Sequence, residues 1–281
     1  MRVEGQIQEN QLEARNPYEL RVDRARDVPE SDVRQALATG EMGFLHSFTT
    51  GSTVDGPGVR VVAWTTGCQF RCLYCHNPDT WNLINGIPIT VARAAEELEK
   101  YRHGLKVMKG GFTLSGGEPL MQDRFAMRIL SAAQAMGIHT ALDTNGALGG
   151  RISDDELNKI DLVLLDIKSW SPERHKMLTG MDITPVLNFA SRLSRLRKPA
   201  WLRFVLVPGL TDHSEDIEAL AAFAAGLGNI QRADVLPFHQ LGKFKWKELK
   251  LNYHLGDVSP PLPAQVTLVR SIFTAHGLRA Y

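Results

Sequence analysis

Along the chain, short apolar runs rich in β-branched residues alternate with longer segments whose apolar residues recur every three or four positions. The short runs fall at 59–65, 111–114, 139–142, 162–167, 201–207 and 233–237, each closed by Gly, Asp, Asn or Pro. The longer segments predict helices over 90–101, 123–136, 184–196, 214–227 and 263–276. Near-continuous apolar strands between helices imply parallel β/α units with both sheet faces covered. Six such units give an α/β fold, a partial (β/α)6 barrel, short of the eight units of a closed one.

Residues 1–41 break this pattern. They are charge-dense, lack regular apolar spacing, and carry helix breakers at Asn16-Pro17 and Val28-Pro29, with one short helix expected over 32–38. They read as an N-terminal extension, flexible or loosely docked, before a core domain over 42–281.

In parallel barrels chemistry collects on the loops that leave the C-terminal ends of the strands. The conspicuous polar residues fall there. Residues 67–76 follow the first run, and Ser115-Gly116-Gly117-Glu118 the second. Asp143-Thr144-Asn145 end the third run, Asp166 and Lys168 the fourth; Arg203 lies within the fifth and His239 ends the sixth.

Charge narrows the function classes. Lys and Arg number 32 against 31 Asp and Glu, so no global basic field attracts nucleic acid or anionic lipid. No stretch approaches the roughly 20 apolar residues of a membrane helix. The N-terminus has no apolar core of a secretory signal, and its acids argue against a transit peptide. A soluble, cytoplasmic protein is expected, with neither nucleic acid nor membrane as partner.

The chain has three cysteines, all in Gly67-Cys68-Gln69-Phe70-Arg71-Cys72-Leu73-Tyr74-Cys75-His76, spaced C-x3-C-x2-C. Thiolates hold iron–sulfur clusters, and cubane clusters normally take four. With three ligands and no fourth cysteine, one iron stays open to an external ligand. Structural zinc, with His76 or another histidine as fourth ligand, is the competing reading, but no second ligand pair follows downstream. Inert buried thiols are the other, and three within one loop is poor packing logic.

At this point the sequence resembles the radical S-adenosylmethionine superfamily, whose members share this spacing after the first barrel strand. Within it the chain is similar to the activating enzymes of glycyl-radical enzymes, closest to the pyruvate formate-lyase activating group. The matching residues are Thr53-Val54-Asp55-Gly56-Pro57-Gly58-Val59-Arg60, Tyr74-Cys75-His76-Asn77, Asp79-Thr80-Trp81 and Tyr101-Arg102-His103. They continue through Ser115-Gly116-Gly117-Glu118, Leu142-Asp143-Thr144-Asn145-Gly146 and Leu165-Asp166-Ile167-Lys168. Leu236-Pro237-Phe238-His239, Leu241-Gly242-Lys243 and Lys245-Trp246 complete the set, which runs from about residue 43 to the C-terminus. Activating enzymes for other partners often insert extra cysteine-rich modules, and this chain has none.

The resemblance implies a partial barrel of the radical S-adenosylmethionine type. It implies a [4Fe–4S] cluster on Cys68, Cys72 and Cys75, with S-adenosylmethionine chelating the open iron. Reductive cleavage would give a 5′-deoxyadenosyl radical, which removes a hydrogen atom from a glycine of the partner. Pyruvate formate-lyase is then the protein substrate, and reduced flavodoxin or ferredoxin the electron donor. By the same resemblance Tyr74, His76, Gly117, Asp166, Ile167, Lys168, Arg203 and His239, with Cys75, surround S-adenosylmethionine, and Asp55 contacts the protein substrate.

Each of these positions has a plainer reading. Gly116-Gly117 could be an ordinary turn before a helix started by Glu118-Pro119, Tyr74 a core aromatic, His76 a loop hydrogen-bonder, and Asp55-Gly56-Pro57-Gly58 a simple turn between strands. Arg203, among apolar neighbours, must be paired or reach a polar cavity. The basic stretch Lys243, Lys245 and Lys247, with Glu248 beside it, reads as a solvated face or docking lip.

Asp143 and Asp166, on neighbouring strands, would approach the carboxylate of S-adenosylmethionine and repel it. A bound cation, with Thr144 and the Leu164 carbonyl as further ligands, would relieve this, and the resemblance implies a monovalent one (Na+ or K+); the alternative is that one aspartate caps the following loop and the other is protonated or paired with Lys168. A radical enzyme acting on a small molecule or peptide, and a non-catalytic zinc-binding module, remain as other functional readings.

Overall fold

The computed structural model describes Pro29 and residues 31–281. The rest of the expected flexible extension, 1–28 and residue 30, lies outside the described residues. A short helix α1, Val33–Thr39, ends at Gly40 in the left-handed region and buries no side chain. It hangs on a later helix through its backbone: Arg124 and Arg128 donate to the carbonyls of Ala38 and Thr39.

In chain order the remaining elements are β1 Met42–Ser52, β2 Arg60–Thr65, β3 Ile87–Thr90, α2 Val91–Glu99, α3 Arg102–Val107, β4 Gly111–Gly116 and α4 Asp123–Ala135. Then follow β5 His139–Thr144, α5 Asp154–Asn158, β6 Leu162–Asp166, α6 Pro172–Thr179 and α7 Thr184–Arg195. The chain closes with β7 Ala200–Leu206, α8 Ser214–Leu227, β8 Ile230–Pro237, α9 Lys243–Glu248 and α10 Pro263–Ala275. One sheet runs in the order β3-β1-β2-β4-β5-β6-β7-β8. Strands β2 and β4 to β8 are parallel and wound in sequence, which is the expected six-unit partial barrel.

Two strands escape the sequence pattern. β1 pairs antiparallel with β2, and β3 with β1, extending the sheet at one edge. In β1 the apolar residues do not alternate cleanly, and two register shifts reset its pairing with β2. β3 is four residues long and carries Pro88, which only an edge strand tolerates. α3, α5, α6 and α9 are also short and polar. Their ends are fixed locally: Ser153 and Glu156 form a capping box on α5, while Ser171 and Pro172 start α6 and Gly180 ends it.

Strand parity divides the apolar residues. Val163, Leu165, Leu202, Phe204, Ala233 and Val235 face the helices in the main core. Ala141, Leu162, Leu164 and Trp201 face inward and pack together as a separate cluster. The next inward positions on the same strands are Asp143, Asp166 and Arg203, and all three line a cavity. An apolar plug therefore lies beneath a charged chamber, and the period-two alternation of β-strands builds both.

Candidate active site

The cysteine loop leaves β2 and turns at Gly67, whose φ of +90° suits glycine. Backbone bonds hold it on two sides. Gly67 N–H donates to the Thr80 carbonyl (2.7 Å) and Cys68 N–H to that of Trp81 (3.1 Å). Arg71 and Leu73 donate to the carbonyls of Thr179 and Leu178 at the end of α6 (2.8 and 3.0 Å). The loop that follows β4 packs against it: Glu118 N–H meets the Gly67 carbonyl at 2.7 Å, and a Cβ on Gly117 would lie 2.4 Å from that oxygen. A side chain at Gly117 would thus drive the two loops apart.

Cys68, Cys72 and Cys75 are free and line one cavity of about 250 Å³. Burial pushes all three thiols up, Cys72 to about 12, although Lys168 draws that one down. Such thiols stay protonated on their own, and a bound metal would have to draw the protons off. Among the described residues no three His, Cys, Asp or Glu converge tightly enough to hold a single ion.

Of the expected site residues, Asp55, Tyr74, His76, Gly117, Asp143, Thr144, Asp166, Lys168 and Arg203 line the same cavity as the cysteines. Arg203 Nη1 bridges Asp143 (3.0 Å) and Asp55 (3.2 Å), so it is both paired and facing a polar cavity. Burial still pushes the Asp143 carboxyl up to about 6, against the pull of Arg203 and with a push from Asp166. Ser115 donates to Asp143 Oδ2 at 2.7 Å, whereas Oδ1 is buried without a partner. Lys168 sits 2.9 Å from Asp166 and 6.0 Å from the centre of the Tyr74 ring. Burial works to lower its pKa, but Asp166 prevails and raises it.

Three expected residues are not on the cavity wall. His239 stacks on His76 at 3.9 Å between ring centres, and its carbonyl accepts from His76 Nε2 at 2.9 Å. The Leu164 side chain belongs to the apolar plug. Ile167 is 1% exposed in the main core, with its N–H on the Arg203 carbonyl at 3.3 Å. Asp55 reaches the cavity by an unexpected route. The turn over 53–59 lies at the N-terminal end of β2, opposite the rim that carries the cysteines, and tucks inward. Thr113 donates to the Asp55 carbonyl at 2.6 Å, and the fully buried Arg60 donates to that of Pro57 at 3.4 Å.

Sequence reading missed several residues of the site. Glu118 is fully buried, and its carboxylate accepts from Leu120 N–H, the Thr144 hydroxyl and Asn145 N–H (3.0, 2.7 and 2.8 Å), tying the Gly116-Gly117 turn to the end of β5. Burial pushes it up to about 7. Gln69 donates to Asn145 at 3.0 Å, joining the cysteine loop to the same strand end. Lys245 in the basic stretch pairs with Asp79 at 2.9 Å and donates to Asn77 at 3.0 Å. With His46 also on Asp79, these partners overcome the burial that would raise that carboxyl and hold it at about 2. Glu118, Asn145, Asn77, Asp79 and Lys245 stood in the matching motifs without these roles, and Gln69 and His46 carried no signal of theirs, because their partners lie far away in sequence.

Three thiols, a glycine cradle and a chamber of paired charges share one cavity, and comparison with known proteins gives the arrangement a family. Residues 62–224 match the Radical SAM superfamily. The chain belongs to the radical S-adenosylmethionine superfamily. It is 43% identical over 229 residues to a pyruvate formate-lyase-activating enzyme of Staphylococcus epidermidis, covering 78% of this chain and 90% of that one. A relative of the same name from Staphylococcus aureus is 42% identical over 226 residues, with the same coverage. Among solved structures, a domain of a pyruvate-formate lyase-activating enzyme from Bacteroides vulgatus aligns with a TM-score of 0.52 at 26% identity, over 61% of this chain and 98% of that one. Streptococcus suis SuiB bound to its precursor peptide SuiA aligns with a TM-score of 0.57 at 18% identity, over 78% of this chain and 47% of that one, a likeness of fold. Among the described residues no helix is long and apolar enough to cross a membrane.

Proposed function

We propose that this radical S-adenosylmethionine enzyme activates a pyruvate formate-lyase by installing a glycyl radical on it. The observation that carries the reading is the single cavity shared by Cys68, Cys72, Cys75, Gly117, Asp166, Lys168 and Arg203, in a chain 43% identical to enzymes of that name. Residues 42–281 form the catalytic unit, with 1–41 as an extension.

The donor set fits a [4Fe–4S] cluster held by the three cysteines, with one iron left for S-adenosylmethionine. When bound, the two cofactors would supply one-electron reductive chemistry that ends in removal of a hydrogen atom from the partner glycine. The chain's own residues bind and orient. The Gly116-Gly117 turn offers backbone acceptors to the amino group of S-adenosylmethionine, and Tyr74 and His76, the latter backed by His239, bound its adenine side. Lys168 and Arg203 offset part of the charge of Asp55, Asp143 and Asp166, which a buried site requires. Asp55, delivered through the barrel floor, is the contact for the substrate glycine loop. The electron donor is a reduced flavodoxin or ferredoxin.

A monovalent cation completes the chamber. The partnerless Asp143 Oδ1 supports it, with Thr144, the Leu164 carbonyl and Asp166 as the remaining protein ligands. The pairs that Asp143 and Asp166 make with Arg203 and Lys168 are the competing way to balance these charges.

Anaerobic EPR tests the function. Reduced protein mixed with S-adenosylmethionine and pyruvate formate-lyase is expected to give a glycyl-radical signal on the partner. Cofactor cleavage without that signal, across candidate partners, would point to a different substrate.

A further inference from the structure

The barrel floor is polar beneath β2, β4 and β5, where the apolar plug gives way. Arg60, Thr113 and His139 stand at inward positions of these strands, because the alternate residues Val61, Phe112, Leu114 and Leu142 face the main core. Gly111 makes room beside them: a Cβ there would lie 2.1 Å from Arg60 Nη1. The Arg60 guanidinium fills that space, fully buried, and each of its five N–H groups reaches an acceptor. Nε donates to the Thr113 hydroxyl at 3.0 Å, and Nη1 to the Pro57 carbonyl (3.4 Å) and His139 Nδ1 (3.2 Å). Nη2 donates to the carbonyls of Phe112 (2.6 Å) and His139 (3.3 Å). None of these acceptors is a carboxylate. Burial pulls the guanidinium down to about 10, and attraction to Asp161 and Asp55 offsets only part of that.

The network ends on Asp55. Thr113 accepts from Arg60 and donates its own hydroxyl, at 2.6 Å, to the Asp55 carbonyl. Gly56, at φ +126°, lets the turn lie against the guanidinium, since a Cβ there would stand 3.1 Å from Nε. The Asp55 carboxylate beyond is held by the Ser52 hydroxyl (2.6 Å) and by Arg203 (3.2 Å). Asp55 thus hangs between backbone support from the floor and Arg203 in the chamber above.

We infer that Arg60 and Thr113 are positioning residues: acting through the Asp55 carbonyl, they set how far the Asp55 carboxylate reaches into the chamber, and so how well the enzyme holds its protein substrate. This rests on the proposed role of Asp55 as the contact for the substrate glycine loop. A buried guanidinium on neutral acceptors is a poor source of stability, because an apolar side chain would fill the floor without desolvating a charge. What it supplies is a rigid fork that ties β4, β5 and the turn at fixed relative positions. Neither Arg60 nor Thr113 lines the cavity that holds the cysteines, so cofactor cleavage does not need them.

The test compares cofactor cleavage without the partner, driven by a chemical reductant, with activation of pyruvate formate-lyase followed by its glycyl-radical EPR signal. Thr113→Val keeps the shape and removes the hydroxyl. It is expected to cleave S-adenosylmethionine at the parent's rate, with KM for pyruvate formate-lyase raised about tenfold or more, because a buried carbonyl is left unpaired. Thr113→Ser returns the hydroxyl and is expected to restore the parent's KM. A parental KM in Thr113→Val, or cleavage and activation falling together, would overturn the inference and leave the proposed function standing. If Thr113→Val does not fold, Arg60→Lys takes its place, keeping the charge but losing the fork. The same rise in KM alone is then expected, and failure of both variants to fold would overturn the inference by assigning the network to stability. A parent that activates no pyruvate formate-lyase would overturn the proposed function, and the inference with it.

Discussion

Cys72 has no substitute, because the chain contains only three cysteines and all line one cavity. Cys72→Ala is expected to lose both the cluster and S-adenosylmethionine cleavage, as anaerobic iron analysis and product assay would show. A full iron complement with normal cleavage would refute the assignment. His175 behaves differently. Its ring is fully buried edge-on to Phe70, 5.6 Å between centres, and neither nitrogen has a hydrogen-bond partner. Burial, helped by Lys168, lowers its pKa from 6.5 to about 4. The folded state therefore binds its proton less readily than the unfolded chain. The stability this gives is complete above about 6.5 and is lost as the pH falls toward 4. Thermal melts across that window are expected to show a shallower acid decline in His175→Phe than in the parent; parallel declines would assign the loss to other groups.

Among the elements, the turn after β4 and the cysteine loop interlock through glycine. A methyl at Gly117 would meet the Gly67 carbonyl at 2.4 Å and the Thr80 carbonyl at 3.0 Å, both backbone and unable to swing aside. Such overpacking typically costs about 1–3 kcal/mol. Gly117→Ala is expected to weaken S-adenosylmethionine binding by about tenfold or more, since a shift of about 1.4 kcal/mol is tenfold; calorimetric titration would measure it. Unaltered affinity would mean the turn is only a connection. At the other end of the chain, α1 offers two carbonyls to Arg124 and Arg128 and buries nothing. Deleting residues 1–40 is expected to cost no more than about 3–6 kcal/mol, the worth of two hydrogen bonds to charged groups. Cluster assembly should survive. A cluster-free truncation, by iron assay, would make the extension part of the core.

Across the whole molecule, sequential winding places Asp143 and Asp166 on adjacent strands, with Arg203 on the next and Asp55 coming from below. Bringing another carboxylate into this chamber is unfavourable unless a cation accompanies it. Removing Na+ and K+ is therefore expected to weaken S-adenosylmethionine binding, and titrating one of them back to restore it. Asp166→Asn should blunt that response. Affinity indifferent to both ions would leave Lys168 and Arg203 as the sole counterions.

The six-strand pattern and the cysteine spacing were legible because both are local. A buried parallel strand must be apolar throughout, and three of a cluster's ligands can sit within eight residues. The antiparallel strands β1 and β3 were not: β1, flanked by β3 and β2 on irregular register, needs no clean alternation, and β3 is only four residues long. Nor could the sequence say which charge answers which. Asp55 and Arg203 lie 148 residues apart, and His76 and His239 163. No periodicity links such pairs. Strand order and the inward parity of alternate residues decide them, and those exist only once the sheet has curled around the cavity.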